Sequence, residues 1–395
     1  MEALSRLRTK VGIVGAGPAG LTLARLLECQ GIDAVVLEDR SRDYVEHRVR
    51  AGVLEQGSVD LLADAGVADR LRREGFVHTG IELQFAGERH RVPLSELTGG
   101  HSIVIYGQTE VVKDLIAARV ASGAPLYFEV DDVRLSGLVD GPPVIAFGHG
   151  GHQHELHCDI VAGCDGYHGP CRSSVPAGVL KSFVREYPFA WLGILAGVAP
   201  SNDELIYAHH DLGFALLSMR TAELSRLYVQ CRPDDDITNW PDGRIWEQLQ
   251  LRLGLPGWQL AEGPVLEKGI TPMRSHVYEP MQYGNLFLAG DASHIVPPTG
   301  AKGLNLALHD VKLLADAIVE LYATKSRAAL DTYSQRCLRR VWRAEHFSWW
   351  MTSMLHRPED GNEFEVRLQL AQLRYLVTSR AAATSLAENY VGFSA

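Results

Sequence analysis

Val11-Gly-Ile-Val14 followed by Gly15-Ala-Gly17-Pro-Ala-Gly20 is the stretch on which the fold turns. Four small or apolar residues predict a short buried strand, and the glycines lead it directly into a helix with apolar residues at 21, 23, 24, 26 and 27. After Gly31 a second strand, Ala34 to Leu37, ends in Glu38. Strand, G-x-G-x-x-G, helix, strand and acid form the order that a dinucleotide site requires. Gly15 makes the tight turn, Gly17 lets the backbone approach a pyrophosphate, and Gly20 lets the helix pack on the strand. The helix start offers unpaired N–H groups and the positive end of its dipole to the phosphates. Glu38 is placed to accept hydrogen bonds from ribose hydroxyls. NAD and FAD share this fingerprint, so it leaves the dinucleotide open.

Two later segments repeat the pattern of an apolar strand ending in an acid. Asp159-Ile-Val-Ala-Gly-Cys runs into Asp165-Gly166, and Asn285-Leu-Phe-Leu-Ala runs into Gly290-Asp291. The second is followed by Pro297, Pro298, Thr299, Gly300, Gly303, Leu304 and Asn305, with a helical pattern from Leu304 through Leu314. Three such strands suit a cofactor lying across strand C-termini. N–H groups where Gly300–Gly303 opens its helix would stabilise negative charge there.

Between these segments the chain reads as antiparallel strands. Glu204 to Ala208 and Phe214 to Arg220 flank a polar turn at His209–Gly213, and Arg226 to Gln230 follows. Residues two apart in a strand share a face, so Ser218 points with Arg220, and Arg226 with Tyr228. An arginine fork suits a carboxylate, and a serine or tyrosine hydroxyl beside it completes a clamp. The competing reading is plain: strand arginines usually face solvent, and tyrosines such as Tyr207 and Tyr390 are ordinary half-buried core residues.

The bulk composition narrows the class. The 395 residues suffice for two domains, and 46% hydrophobic with 22% charged is ordinary for a globular protein. A net charge of −10 with no basic stripe argues against nucleic acid as a partner. The longest apolar run, about Pro188 to Pro200, is shorter than the roughly 20 residues a bilayer crossing needs, so no membrane role is expected. Glycines and a proline break the segment behind the basic N-terminus, which argues against a signal peptide. Six cysteines without a C-x-x-C pair predict reduced thiols, no metal site and a cytoplasmic setting.

In order and spacing the three acid-ended segments resemble the flavin-dependent aromatic hydroxylases, and the resemblance runs from Lys10 to Gly392. It implies an α/β fold: a Rossmann-like FAD-binding domain (1–75, 101–178 and 276–329), a substrate domain built on a mixed, largely antiparallel sheet (76–100 and 179–275), and a helical C-terminal interface region (330–395). Bound FAD, a reduced nicotinamide (NADH or NADPH) and O2 are the implied cofactors, and a homodimer the implied assembly. The implied activity is hydroxylation of a small aromatic carboxylic acid through a flavin C4a-hydroperoxide, with 4-hydroxybenzoate the expected substrate, converted at its 3-position to 3,4-dihydroxybenzoate.

The same resemblance implies roles residue by residue. Gly15, Gly17, Gly20, Glu38, Arg48, Arg50, Gln108, Asp165, Arg226, Asp291, Gly300, Leu304 and Asn305 would hold FAD. Ser218, Arg220 and Tyr228 would hold the substrate carboxylate, and Tyr207, Pro298 and Thr299 would line the ring. Tyr207 and Tyr390 would relay the phenol proton to His78, with Pro298 at the reacting edge. His168 and Arg274 would meet the nicotinamide pyrophosphate, and Asp39, Arg40, Arg42 and Tyr44 would decide on a 2′-phosphate. Asp39 directly after Glu38 would repel that phosphate, which leans toward NADH, although Arg40 and Arg42 offset it. Rival readings are the same chemistry on 3-hydroxy-, 4-amino- or 3,4-dihydroxybenzoate, a flavin reductase that does not activate oxygen, and a ligand-sensing flavoprotein.

The aromatic-rich stretch after Leu330, with Trp342, Phe347, Trp349, Trp350, Met351 and Met354, reads first as core and second as interface.

Overall fold

Strands with no polar face need cover on both sides, and four such runs form the centre of the first sheet. Val11–Val14, Ala34–Leu37, Ile160–Gly163 and Leu286–Leu288 are buried at every position. The computed structural model describes residues 5–48, 52–358 and 361–392. In it these strands lie parallel in a six-stranded sheet ordered Gln282–Tyr283, Leu286–Leu288, Ile160–Gly163, Val11–Val14, Ala34–Leu37, Leu126–Tyr127. Helices Pro18–Cys29, Gln108–Ala121 and Gly303–Thr324 pack together beside it.

The first turn is as tight as its glycines suggest. Gly15 has φ +104°, and a Cβ on Gly20 would lie 2.0 Å from the Gly15 carbonyl oxygen. Side chains at either position would force strand and helix apart.

A second sheet of eight strands carries the segment read as antiparallel. Its order is His294–Ile295, Val265–Glu279, Lys181–Ala196, Leu224–Cys231, Ala215–Thr221, Ile206–Ala208, Ile81–Phe85, Glu88–Val92. Every neighbouring pair is antiparallel except Ile206–Ala208 with Ile81–Phe85. The long ribbon of Lys181–Ala196 and Val265–Glu279 pairs from Lys181 opposite Glu279 to Ala196 opposite Val265, with its register broken between Glu186 and Ala190. Pro188 falls in that gap and has no N–H to give a ladder.

The C-terminal helices close one face of this sheet. Phe347, Met351 and Met354 of Tyr333–Leu355, Leu373 and Leu376 of Glu363–Thr378, and Leu386 and Tyr390 of Arg380–Val391 share a core with Trp191, Tyr207 and Leu216. The aromatic stretch therefore splits: Phe347 is core, Trp349 and Trp350 are half-buried, and Trp342 is exposed. Among the described residues no helix is long and apolar enough to cross a membrane, and all six cysteines are unpaired.

Candidate active site

Sheet register gathers the site. Tyr207 lies opposite Leu216, Leu216 opposite Tyr228, and Tyr228 opposite Gly193, so one row of the second sheet runs from tyrosine to tyrosine. The next row on that face sets Ser218 opposite Arg226. Directly opposed residues share a face, which puts Tyr207, Ser218, Arg220, Arg226 and Tyr228 on one side of the sheet. The small residue at Gly193 makes room: a Cβ there would lie 2.8 Å from the Arg226 guanidinium.

The two arginines change the chemistry of Tyr228. Arg226 Nε donates to its hydroxyl at 3.3 Å, and Arg220 also hydrogen-bonds it. Burial acts to raise this phenol, but the two guanidinium charges outweigh it and hold the group below its ordinary value. Arg226 Nη1 is buried without a protein partner among the described residues. One end of the face is thus positively charged, which favours an anion.

The other end carries two phenols and no charge. The Tyr207 and Tyr390 hydroxyls are 2.5 Å apart, and both residues are 2% exposed. Burial raises both phenols, so both keep their protons at neutral pH. Between the ends stand three residues that the sequence did not single out. Trp191 packs 4.7 Å from the Tyr228 ring and stacks on Phe214, and its Nε1 donates to His356 Nε2 at 2.6 Å. That bond makes Nε2 an acceptor, so Nδ1 carries the proton and donates to the Thr352 carbonyl at 2.9 Å. Burial holds this histidine down to about 3, leaving a neutral aromatic wall.

The Pro298–Gly300 turn approaches from the first sheet. Thr299 is fully buried and shares a 2.8 Å hydrogen bond with Thr352, whereas Pro298 is exposed. Ala301 takes a left-handed conformation, φ +54°, before the Gly303–Thr324 helix begins with no side-chain cap, so Gly303 and Leu304 present open N–H groups. Asn305 is saturated inside the protein. Its Nδ2 donates to the Val53 and Ala301 carbonyls, and its Oδ1 accepts from Glu55 N and Ser58 Oγ. Its side chain therefore ties residues 53–58 to the turn before its own helix, and its backbone N–H is what remains for a ligand.

Lys302, inside the stretch quoted for its glycines, is buried and bonds Glu55 at 2.6 Å and the Tyr390 carbonyl at 3.0 Å. Arg340 pairs with the same Glu55.

The Gly15–Gly20 turn meets Glu38, which is 8% exposed. Its carboxylate accepts from Ala16 N at 2.6 Å and from Arg40 N at 3.0 Å. Burial pushes this carboxyl up to about 7, with Asp39 adding to the rise and the two N–H groups opposing it.

At the sheet's other strand ends, Asp165 Oδ2 accepts from Cys171 N at 2.7 Å and Asp291 is exposed. Arg48 and Gln108 are drawn together where Thr109 Oγ1 donates to the Arg48 carbonyl, while Arg50 lies outside the described residues.

The candidate nicotinamide residues form two groups. Tyr167, which the sequence reading passed over, joins the first: Arg274 lies 4.0 Å over its ring and His168 meets it edge-on at 4.9 Å. In the second, Arg40 and Arg48 flank the Tyr44 ring at 5.5 and 5.8 Å. Arg40 pairs with Asp39 and Arg42 with Glu46. His78 lies at the end of strand Phe76–His78, opposite Ile103. It is 1% exposed, burial lowers it to about 4, and neither ring nitrogen has a protein partner among the described residues.

A family model described as FAD binding domain matches residues 8–348. The chain belongs to this FAD binding domain family. Within the family it is 51% identical over 390 residues to p-hydroxybenzoate hydroxylase of Acinetobacter baylyi, covering 98% of this chain and 96% of that one. Rifampicin monooxygenase of Streptomyces venezuelae is 28% identical, over 81% of this chain and 66% of its own. Among solved structures, p-nitrophenol 4-monooxygenase from Pseudomonas putida superposes with TM-score 0.85 at 18% identity, covering 99% of this chain and all of that one. At such identity it speaks for the fold alone. The chain is an FAD-dependent enzyme of the aromatic-hydroxylase type.

The residues present fit the family's cofactor. Beside Gly17 nothing among the described residues lies within 4 Å of where a Cβ would stand, so the backbone is open where a pyrophosphate would approach. The Pro18–Cys29 helix starts on Gly17 with no side-chain cap. Among the described residues Asp165 Oδ1 is a buried acceptor without a protein partner, and Glu38 has lone pairs left after its two internal bonds.

Proposed function

We propose that this protein hydroxylates 4-hydroxybenzoate at its 3-position, giving 3,4-dihydroxybenzoate with consumption of O2 and a reduced nicotinamide. The observation that carries the reading is one sheet face with an arginine cluster at one end and a paired, proton-bearing tyrosine couple at the other. A para-substituted phenolic acid matches both ends. The relative at 51% identity bears the name of that activity.

The steps follow from the residues. Arg220 takes the carboxylate as a two-point fork, with the Ser218 and Tyr228 hydroxyls completing the clamp. This sets the phenol against Tyr207. In water a phenol and a tyrosine have similar affinities for a proton, with pKa values of about 10, and burial in the same apolar end raises both, so transfer between them costs little. The substrate O–H donates to Tyr207, whose own proton passes to Tyr390. His78, kept neutral by burial, is the base that receives the proton on its way out. The phenolate left behind pushes electron density onto its ortho carbon.

The chemistry that FAD supplies when bound is acceptance of hydride from the nicotinamide and delivery of one oxygen atom from O2. Glu38, the Gly15–Gly20 turn, Asp165, Asp291 and the N–H groups from Gly300 to Leu304 are the residues assigned to hold it. The Trp191, Phe214 and His356 stack keeps water from the ring.

NADH is the assigned reductant, because Arg40 and Arg42 are each engaged by a neighbouring carboxylate and Asp39 adds negative charge where a 2′-phosphate would sit. A homodimer is proposed through Glu363–Thr378, whose Phe364, Leu368 and Tyr375 are 71%, 55% and 60% exposed. Light scattering that gives a single-chain mass would reject that assembly.

The deciding experiment mixes holoenzyme with 4-hydroxybenzoate and follows NADH and NADPH oxidation, oxygen uptake and product. One 3,4-dihydroxybenzoate per nicotinamide is expected. Oxidation that yields hydrogen peroxide alone overturns the substrate, and no oxidation at all returns the protein to the class of ligand sensors.

A further inference from the structure

We propose a second binding site, for a hydroxylated aromatic acid, in the groove between the Lys181–Ala196/Val265–Glu279 ribbon and the Tyr333–Leu355 helix. Nothing in the reaction described above uses it. Strand register turns Phe183 and Arg185 to the groove beside Val277 and Ser275, which lie opposite them. Helix spacing turns Trp342, Glu345, His346 and Trp349 to the same place, at intervals of three and four residues. The groove is open on one side and has a volume of about 260 Å³, room for a single-ring compound.

Three observations specify the ligand. The walls are aromatic: Phe183 meets Trp342 edge-on at 5.4 Å, and Tyr187 stands on the ribbon side. The rim carries a cation. The Arg185 guanidinium sits 5.6 Å from the Tyr187 ring and 5.8 Å from the Trp349 ring, and it pairs with no carboxylate among the described residues.

The floor carries the third feature, two unmet polar atoms. Glu345 is 5% exposed and its carboxylate is hydrogen-bonded with Ser275, but among the described residues its Oε1 has no partner, nor has the buried Trp349 Nε1. Buried acceptors and donors are satisfied by protein, water or ligand, and this groove brings one of each together. Burial also pushes the Glu345 carboxyl up to about 7, which fits a neutral hydroxyl better than a cationic ligand.

The complementary molecule has a carboxylate for Arg185, a flat ring for the aromatic walls, a hydroxyl that donates to Glu345 Oε1, and an oxygen that accepts from the Trp349 N–H. A dihydroxybenzoate has all four. The inference does not depend on which benzoate the buried site turns over, because recognition here uses only acid, ring and hydroxyls.

The test is calorimetric titration of FAD-loaded enzyme with 3,4-dihydroxybenzoate. Two equivalents per chain are expected. Arg185→Ala weakens the second by about tenfold through loss of a charge-assisted contact. Trp349→Phe keeps the ring, removes the N–H and weakens the second severalfold. Both variants leave the first equivalent and the turnover number unchanged. A single equivalent, as from a groove that holds only water, overturns the proposal. So does a second equivalent indifferent to both substitutions. Two equivalents without hydroxylation would sink the substrate reading alone, and normal hydroxylation with one equivalent would sink only the groove.

Discussion

Changing Tyr390 to Phe removes one oxygen from the middle of the site and leaves its ring in place. That ring meets Tyr207 edge-on at 6.1 Å and Phe347 at 6.2 Å, and neither contact needs the hydroxyl. The loss is therefore polar. The Tyr207 hydroxyl, buried and bonded to Tyr390 at 2.5 Å, is left without that partner, at a cost of about 1–3 kcal/mol to folding. The effect on turnover is larger. With the second carrier gone, the phenol proton has no onward route, and positioned proton transfer contributes roughly 10²–10⁴ in rate. Because Tyr207 still contacts the phenol, the low end applies, a fall of about a hundredfold in kcat. Affinity for the acid stays within about twofold, since Arg220, Ser218 and Tyr228 are untouched.

The assay is the absorbance of bound 4-hydroxybenzoate across pH, which reports phenol and phenolate separately, run beside steady-state kinetics. In the variant the phenolate band should appear at higher pH than in the parent. A variant whose bound ligand ionises at the parent's pH, with kcat within twofold, would falsify the relay. If affinity and kcat fall together and the ionisation does not move, Tyr390 is packing.

Arg220→Gln should weaken binding of the aromatic acid by about 2–3 kcal/mol, about 30- to 150-fold, and let burial carry the Tyr228 phenol upward; a change below threefold places the carboxylate elsewhere. Glu38→Gln should loosen FAD by about tenfold, read by flavin fluorescence after ultrafiltration. In the parent, retention should rise as pH climbs through about 7, because the ionised carboxylate is the better acceptor for ribose hydroxyls, and the Gln variant should lose that slope. His78 makes the fold acid-sensitive. Its imidazole is neutral in both folded and unfolded states above pH 6.5, and on acidification the unfolded chain takes the proton first. Stability should therefore fall between pH 6.5 and about 4, by up to about 3 kcal/mol from this residue. Chemical denaturation at several pH values checks it, with His78→Gln expected to flatten the dependence.

What the sequence disclosed is what local geometry enforces. Gly15 and Gly20 are legible because the backbone there admits no side chain, and the strand on each side is apolar throughout. Alternation within a strand foretold that Ser218 and Arg220 share a face, and cross-strand register then added Arg226, Tyr228 and Tyr207. Partners distant in the chain were silent. Trp191 and His356 stand 165 residues apart, Asn305 and Glu55 250, and no period in the sequence joins either pair. Tyr167 escaped notice because an aromatic residue beside a glycine turn has no special spacing, although it orders both His168 and Arg274. His78 looked like one histidine among sixteen, and its burial is set by elements on either side of it.

The broken register between Glu186 and Ala190 gives the long ribbon a mechanical property. Two stiff ladders meet at a joint with no rungs, and Pro188 keeps it that way. Arg274, opposite Glu186, stands on one arm, and Gly193, behind the Arg226 guanidinium, on the other. A load applied to the first arm is therefore relieved at the joint before it reaches the second. On the roles proposed for Arg274 and the arginine cluster, motion at the nicotinamide end would leave the hold on the acid intact, and stiffening this one spot would couple the two.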